Sequence, residues 1–280
     1  MDVSIIIVNY NTLQLTQNCI KSIVEKTTGI EYEIIVVDNA STDGSREMLS
    51  QDSRIKYIYS DCNGGFGYGN NRGMELAQGK YFLLLNSDTL LINNAVKAFY
   101  DYAESHHPKS VYGCYLEGED GSYRGSFHYF PAFTIRQFFH RMIHKQNYTP
   151  DYTNKEVECI CGADMFFPRT GYETVGGFNE RIFLYGEEGE LQYRLKKAGY
   201  SCFIINTPQI QHLEGKSSTP SIWKDYIKLK SHFVILKTHM CYFTYILARL
   251  YYAVRLGIIN FKYIKDKEGR RFLLLLVSKV

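Results

Sequence analysis

A carboxylate and an amide stand at the end of an apolar run in the segment LLLNSDTLL, residues 83–91. The leucines are typical of a buried strand, and Asn86 and Asp88 follow directly after them. Mg²⁺ and Mn²⁺ prefer oxygen ligands, and they usually keep phosphate oxygens and waters beside one or two protein carboxylates. Asp88 is therefore a candidate metal ligand next to a phosphate, and a helix cap or turn is the other interpretation.

A second candidate site is the glycine-rich segment NGGFGYGNNRG, residues 63–73. Glycine allows positive φ and close approach of the backbone, as at phosphate sites. Asn70, Asn71 and Arg72 favour anion binding. The segment matches neither a P-loop nor a dinucleotide fingerprint after the first strand, so a loop that only reverses the chain is the alternative.

Titratable side chains further along the chain could move a proton or bind a metal. Glu187 and Glu188 lie at the start of a predicted helix, where either could take a proton from an incoming hydroxyl. The alternative is structural, because helix N-termini favour acids and Glu190 can pair with Arg194 one turn later. His212 is either a structural histidine or a further metal ligand.

The elements that must position these residues alternate between strands and helices. Strands are predicted at 3–8, 32–38, 54–59, 80–86, 111–116, 162–167 and 202–206, and helices after a Thr12 cap, at 45–49, at 69–78, at 187–198 and over much of 221–264. This alternation predicts right-handed βαβ units and a mostly parallel sheet, which binds ligands at the carboxyl ends of its strands. Residues 9–11, 38–39 and 86–88 should therefore meet at one edge, whereas 123–152 show no pattern that predicts a fold.

Composition excludes several classes of protein. The 280 residues are 45% hydrophobic and 22% charged, which is typical of a globular chain. No apolar run of about 18 residues predicts a membrane-spanning helix, and the first residues lack the basic segment of a signal peptide. The seven cysteines contain no C-x-x-C pair, so we expect reduced thiols and a cytoplasmic protein.

The charge is distributed unevenly along the chain. Residues 216–280 hold 13 Lys and Arg against 3 Asp and Glu, hence +10, while residues 1–215 hold 19 against 26, hence −7. Basic and aromatic residues mix in this tail, as in helices that lie on the inner, anionic face of a plasma membrane. A helical cap on the rest of the chain or a dimer contact is the alternative. Nothing predicts base readout, so we expect no nucleic-acid partner.

Six motifs occur in a fixed order: VSIIIVNYN, EIIVVDNASTDGS, NGGFGYGNNRG, YFLLLNSDT, VGGFNERIFLYGEEGELQYRLKKAGY and HLEGKS. Over about residues 3–217 the chain resembles inverting family 2 glycosyltransferases, most closely the bacterial rhamnosyltransferase-like branch that builds surface polysaccharides. The resemblance implies an α/β GT-A fold: a Rossmann-like, mostly parallel central sheet flanked by helices, with a C-terminal helical extension. Its implied domains are a catalytic domain at 1–217 and a basic aromatic tail at 218–280, with nucleotide-sugar binding at about 1–105 and the acceptor side at about 106–217.

The resemblance also implies substrates and a cofactor. The donor would be a nucleotide-sugar linked to dTDP or UDP, with dTDP-rhamnose as a candidate. The acceptor would be a saccharide or a lipid-linked glycan, and the cofactor Mg²⁺ or Mn²⁺.

The family's functional positions can be matched to this sequence. The implied donor contacts are Tyr10 at the base, Asp38 at the pyrimidine ring, and Asn63, Gly65, Asn70, Arg72 and Asn86 along the ribose and diphosphate. Asp88 and His212 match the metal ligands. Glu188 matches the catalytic base, with Glu187 beside it in the same motif. The family usually has Asp at the base position, so the base here is one methylene longer.

Two other functions fit parts of this pattern. The longer base is compatible with a non-catalytic binding or scaffold protein of the same fold. A nucleotide-sugar pyrophosphorylase would need a Gly-rich loop bearing Lys or Arg after the first strand, where this chain has Asn9-Tyr10-Asn11-Thr12. That loop argues against the pyrophosphorylase.

Overall fold

The computed structural model describes residues 1–134, 136–137, 149–213 and 222–259, and these form two compact units. The described residues of the larger unit are 1–130, 149–180 and 187–213, and those of the smaller unit are 131–134, 136–137, 181–186 and 222–259. The boundary predicted between 217 and 218 lies outside the described residues and stays a prediction. The sequence pattern did not assign 131–137 or 181–186 to a unit with the C-terminal helices.

An eight-stranded sheet forms the centre of the larger unit. Its described strands, with two short pairs beside them, are β1 (Val3–Asn9), β2 (Tyr32–Asn39), β3 (Lys56–Ser60), β4 (Tyr81–Asn86), β5 (Thr89–Leu91), β6 (Ser110–Cys114), β7 (Phe127–His128), β8 (Lys155–Val157), β9 (Cys159–Ile160), β10 (Asp164–Pro168), β11 (Ser201–Ile205) and β12 (Ile210–His212). The sheet order is β3-β2-β1-β4-β10-β6-β11-β8, and only β10 and β8 run antiparallel to their neighbours. The structure thus confirms the predicted α/β class and the mostly parallel sheet.

Helices cover both faces of this sheet, because each strand presents alternate apolar side chains to opposite sides. The helices of the larger unit are α1 (Leu13–Lys26), α2 (Ser45–Leu49), α3 (Phe66–Leu76), α4 (Ala95–Ser105), α5 (Arg169–Val175) and α6 (Glu187–Lys197). One buried cluster joins Ile5 and Leu83 to α1 and α4, and the other joins Ile6 and Leu84 to α3 and α6. The sheet is therefore held rigidly, and its strand ends are fixed relative to each other.

The glycine-rich segment is mostly helix rather than loop. α3 begins at Phe66, three residues before the predicted start. A Cβ on Gly69 would lie 2.7 Å from Val8 Cγ1, and a Cβ on Gly73 would overlap the Ile6 side chain. These two glycines therefore let the helix pack closely on the sheet, and the predicted close approach to a phosphate does not explain them.

Thr12 occupies the N-cap position of α1 as predicted, but its side chain does not cap the helix. The Leu13 amide donates to Asp43 Oδ2 at 2.9 Å, so a side chain from the next loop caps the helix. The Thr12 hydroxyl instead donates to Asn9 Oδ1 at 2.9 Å and lies 3.1 Å from Ser87 Oγ. Thr12 thus connects the ends of β1 and β4.

Two helices dominate the described part of the smaller unit, α7 (Ile222–His239) and α8 (Tyr242–Ile259). Segment 181–186 packs on α7, where Ser231 Oγ donates to the Leu184 carbonyl at 2.7 Å and Lys228 Nζ lies 4.8 Å from the Tyr185 ring. Within the described ranges, neither helix is long and apolar enough to cross a membrane.

Candidate active site

Asp88 and His212 meet at the carboxyl end of β4. The short strands β5 and β12 pair antiparallel, with His212 opposite Thr89, and the Leu213 amide donates to the Asp88 carbonyl at 2.9 Å. This pairing leaves His212 Nε2 only 3.3 Å from Asp88 Oδ1, with both side chains mostly buried. Asn86 Nδ2 lies 3.5 Å from the same imidazole nitrogen, across 126 residues of sequence.

The donor atoms of this pair fit a divalent cation. Octahedral Mg²⁺ has ligands at about 2.0–2.1 Å, which places adjacent ligand atoms about 3 Å apart. The 3.3 Å between Asp88 Oδ1 and His212 Nε2 is close to that spacing. In the part of the chain that the structure describes, no group of three or more His, Cys, Asp and Glu could hold a metal. A cation at this pair would therefore need phosphate or water oxygens to complete its shell.

The ends of β1 and β2 form a polar edge beside this pair. Asp38 is fully buried, and its carboxylate accepts hydrogen bonds from Tyr57 Oη at 2.8 Å and from the Ser41 amide at 3.0 Å. Burial and this hydrogen bond raise the pKa of Tyr57, so the phenol stays a donor. Asn9 Nδ2 reaches Asp38 Oδ1 at 3.4 Å, while Tyr10 is 48% exposed. Contact of Asp38 and Tyr10 with the base of a nucleotide stays a prediction. A pyrimidine that hydrogen-bonds to Asp38 would have to share a carboxylate oxygen with the donors that already occupy it.

The turn before α3 is held by side-chain amides. Asn63 Oδ1 accepts the Gly65 amide at 3.0 Å, and Asn39 Nδ2 donates to the Gly65 carbonyl at 2.9 Å. Asn70 Nδ2 donates to the Phe66 carbonyl at 3.0 Å, and its buried Oδ1 has no hydrogen bond from any described residue. These residues fix the start of α3, and their predicted contacts with ribose and diphosphate stay predictions.

Arg72 is engaged by acidic partners. Its guanidinium pairs with Glu180 at 2.7 Å and with Glu75 at 3.3 Å, and it lies 4.8 Å from the Tyr68 ring. Within the described ranges, no hydrogen bond or ion pair joins Arg72 to Asp88. A diphosphate contact of Arg72, as predicted, would require the arginine to exchange or share these carboxylates.

Glu188 lies in the first turn of α6 beside a histidine that the sequence reasoning missed. His128 Nε2 is 3.9 Å from Glu188 Oε1, and the two side chains are 34% and 18% exposed. β7 and β9 pair at His128 and Cys159 and so bring this histidine to the start of α6. Residues 123–152 showed no periodicity, so no signal in the sequence marked His128 as part of the site.

Glu187 differs from its neighbour in burial. The side chain is 3% exposed, and no described residue hydrogen-bonds to its Oε2. Burial, and then the charge of Glu188, raise the pKa of Glu187 well above its ordinary value. This shift favours the protonated form of Glu187, and of the two neighbouring acids Glu188 is the one whose side chain reaches solvent.

A second buried acid, Asp164 on β10, was also missed. It is fully buried beside the end of β4, where the Asn86 amide donates to the Ala163 carbonyl at 3.0 Å. Burial raises the pKa of Asp164 to about 6. Hydrogen bonds from the Cys114 amide and thiol to the carboxylate lower this pKa, but the effect of burial is larger. The sequence did not mark Asp164 as a site residue, because a single acid within an apolar strand forms no recognisable motif.

Several characterised proteins are similar in sequence. The chain is 27% identical over 132 residues to the glycosyltransferase GlyG of Streptococcus pneumoniae, covering 46% of this chain and 43% of that protein. It is 26% identical over 250 residues to the low-salt glycan biosynthesis hexosyltransferase Agl10 of Haloferax volcanii, covering 83% and 75%. It is 24% identical over 208 residues to the N-acetylglucosaminyl-diphospho-decaprenol L-rhamnosyltransferase of Mycobacterium tuberculosis, covering 66% and 67%. The chain thus spans less than half of GlyG and about two thirds or more of the other two.

Solved structures share the fold at low sequence identity. GalNAc-T7 with UDP, GalNAc and Mn²⁺ matches with a TM-score of 0.64 and 16% identity, over 84% of this chain and 48% of that one. TarS 1–349 of S. aureus in complex with UDP matches with a TM-score of 0.57 and 16% identity, over 84% and 65%. These matches confirm the predicted GT-A fold.

A family model decides the classification. The model described as glycosyl transferase family 2 matches residues 4–175, more than half of the chain. The match includes Asp38 on β2, the strand β4 that ends at Asn86, and Asp88. The chain belongs to glycosyl transferase family 2.

Proposed function

We propose that this chain is an inverting glycosyltransferase that moves a sugar from a nucleotide-sugar to a hydroxyl of a glycan acceptor. The observation that carries the proposal is the meeting of Asp88 and His212, 3.3 Å apart, at the end of β4. The pair lies at the strand edge where parallel sheets bind ligands. A family 2 domain, two ligand atoms spaced for a cation and a solvent-accessible carboxylate at Glu188 together support donor cleavage at this edge.

The donor side of the proposal assigns one task to each group of residues. Asp38 and Tyr10 would hold the pyrimidine base, and Asn63, Gly65, Asn70, Arg72 and Asn86 would line the ribose and diphosphate. Asp88 and His212 would hold Mg²⁺ or Mn²⁺. A bound divalent cation would neutralise the negative charge that develops on the leaving diphosphate.

Glu188 would act as the general base. Its carboxylate would accept the proton of an acceptor hydroxyl while that oxygen forms a bond to the anomeric carbon. The bond between the anomeric carbon and the phosphate oxygen breaks on the opposite face, so the configuration inverts. The neighbouring Glu187 is buried and its pKa is raised, so it would support the first turn of α6 while Glu188 takes the proton.

The relatives suggest the class of substrate. The H. volcanii relative is named for low-salt glycan biosynthesis, and the name of the M. tuberculosis relative contains N-acetylglucosaminyl-diphospho-decaprenol. We propose a dTDP- or UDP-linked donor, with dTDP-rhamnose as one candidate, and a saccharide or lipid-linked acceptor in surface polysaccharide synthesis. A lipid-linked acceptor would be reached at a membrane, and peripheral binding to an anionic membrane surface is proposed with it.

Nucleotide release from a donor panel tests the proposal. The panel contains UDP-glucose, UDP-N-acetylglucosamine, UDP-galactose and dTDP-rhamnose, each with Mn²⁺ and without added acceptor, so that water replaces the hydroxyl. We expect UDP or dTDP release from at least one donor. Glu188→Gln should lower that rate by about 10²-fold, because general-base catalysis contributes roughly 10²–10⁴.

The matched control is Glu173→Gln, an exposed acid on α5, which should keep the wild-type rate. Equal rates for Glu188→Gln and wild type would reject Glu188 as the base. Nucleotide binding with no release from any donor would favour the non-catalytic scaffold. Formation of a nucleoside triphosphate from donor and pyrophosphate would favour the pyrophosphorylase.

A further inference from the structure

Helix α8 exposes a continuous apolar stripe. Four residues on it recur every three or four positions and so share one face of the helix. They are Phe243, Leu247, Leu250 and Val254, at 69%, 40%, 58% and 61% exposure. Tyr242, the first residue of the helix, is also exposed, at 81%. A surface helix of a soluble protein normally turns such a stripe toward the core. Exposed apolar patches commonly mark sites that contact a partner or a membrane.

The opposite face of α8 is already packed. Tyr245 is 5% exposed, and the Tyr252 ring lies 4.9 Å from His232 and 5.8 Å from Phe233 on α7. Arg249 lies over the rings of Phe233 and Tyr245 at 5.7 and 5.8 Å. α8 therefore has two apolar faces, and packing on α7 accounts for only one of them.

The charge of helices α7 and α8 indicates what covers the stripe. Helices α7 and α8 carry six Lys and Arg against one acid, Asp225, hence a net charge of +5, and α8 has no acid at all. Lys228, Lys230 and Lys237 are exposed. A partner that fits must be apolar toward the stripe and anionic toward these two basic helices. A lipid surface has both properties, since acyl chains lie beneath anionic headgroups.

We propose that α8 lies flat on an anionic lipid surface with the Phe243–Val254 stripe in the boundary between headgroups and acyl chains. Its 18 residues give a length of about 27 Å along the membrane plane. Such helices sink about 5–10 Å, which would bring the stripe to the acyl chains, while the basic side chains of the two helices would attract the anionic headgroups. This proposal assigns the peripheral membrane binding of the proposed function to one face of α8; its failure would remove that membrane contact and would leave the proposed sugar transfer intact.

Co-sedimentation of the full chain with lipid vesicles tests the proposal. The vesicles are phosphatidylcholine alone, or phosphatidylcholine with about 40% phosphatidylglycerol. We expect wild-type protein to pellet with the anionic vesicles, and to pellet much less with neutral vesicles or in about 0.5 M NaCl, where charges are screened. The variant Leu247→Gln/Leu250→Gln/Val254→Gln should lower the partition coefficient about tenfold or more, because three apolar side chains no longer leave water.

The matched control is Met48→Gln/Leu76→Gln, which removes two apolar side chains of similar exposure, 54% and 58%, from α2 and α3. This control should bind vesicles like wild type. A second variant, Lys230→Glu/Lys237→Glu, leaves the stripe intact and should weaken binding to anionic vesicles only. If the triple variant does not fold, this lysine variant still tests whether binding depends on the positive charge of α7.

Three outcomes would overturn the proposal. The first is no binding of wild type to anionic vesicles. The second is equal binding of wild type and of a folded triple variant. The third is a wild-type dimer in light scattering that the triple variant converts to monomer without any vesicle binding, which would assign the stripe to a second copy of the chain.

Discussion

Adjacent acids at the start of α6 differ because of their surroundings. Glu187 is buried and its pKa is raised well above the ordinary value, whereas Glu188 is partly exposed and lies 3.9 Å from His128. Environments that separate two carboxyl groups in this way commonly assign different roles to them. The motif alone could not make this choice, since burial is not visible in four consecutive letters, Glu-Glu-Gly-Glu.

Asp164 should make the stability of the metal-free protein depend on pH. Its pKa is about 6 in the folded chain and 3.8 ordinarily, so burial disfavours the charged form. The stability tied to this group is complete below about pH 3.8 and is lost as the pH rises through about 6. Between about pH 5 and pH 8 the group should lower the free energy of unfolding by about 1 kcal/mol.

Urea unfolding of wild type and Asp164→Asn, both in chelator, measures this contribution. The variant keeps an oxygen that can accept the Cys114 amide but cannot ionise. The loss of stability from about pH 5 to about pH 8 should be about 1 kcal/mol smaller in the variant, because all other titrations are shared. An identical pH dependence in the two proteins would contradict the raised pKa.

Two short elements make the site, and they were the hardest to predict. β5 and β12 have three residues each, too few to show alternation, and their pairing joins parts of the chain more than 100 residues apart. The long strands β1, β2 and β4 were predicted within about one residue, because continuous β-branched and leucine runs are strong signals. The sequence thus predicted the edge of the sheet, while the pairing that places His212 beside Asp88 required the fold.

Close packing of α3 on the sheet gives a prediction at the level of elements. Gly73→Ala puts a methyl group against Ile6 in the core, where overpacking costs about 1–3 kcal/mol. The better helix propensity of Ala recovers up to about 1 kcal/mol, so we expect a net loss of about 1 kcal/mol in urea unfolding.

The control for this change is Gly125→Ala, where an added Cβ meets no atom within 4 Å. Its stability should stay within about 0.5 kcal/mol of wild type. A Gly73→Ala variant as stable as Gly125→Ala would show that the helix can shift, and that close approach is not why glycine stands there.

Across the whole molecule, charge and fold class were readable from the sequence, but membership of the two units was not. Residues 131–134, 136–137 and 181–186 belong to one unit with the C-terminal helices, and contacts such as that of Ser231 with Leu184 produce no periodic pattern in the sequence. The basic tail was visible as composition, whereas the exposed stripe on α8 became apparent only from the structure, in which Tyr252 packs on α7 and Tyr245 is buried. Composition therefore predicted a tail that lies on a membrane, and the packing of α8 shows which of its faces is left exposed for that contact.

The central claim is that Asp88 and His212 form a metal and diphosphate site, and metal-dependent binding of a nucleotide tests it most directly. The measurement is the thermal shift given by UDP and by dTDP, with and without Mn²⁺, for wild type, Asp88→Asn and the control Asp101→Asn, an exposed acid on α4. A ligand at about 100 times its Kd adds about 2.7 kcal/mol to the folded state.

We expect at least one nucleotide to raise the melting temperature of wild type and Asp101→Asn by several degrees only when Mn²⁺ is present, and Asp88→Asn to lose that rise. The wild-type result alone would support a metal-dependent nucleotide site, and its loss in Asp88→Asn would place the site at the end of β4. A Mn²⁺-dependent shift of the same size in Asp88→Asn, or no shift with either nucleotide in wild type, would contradict the assignment.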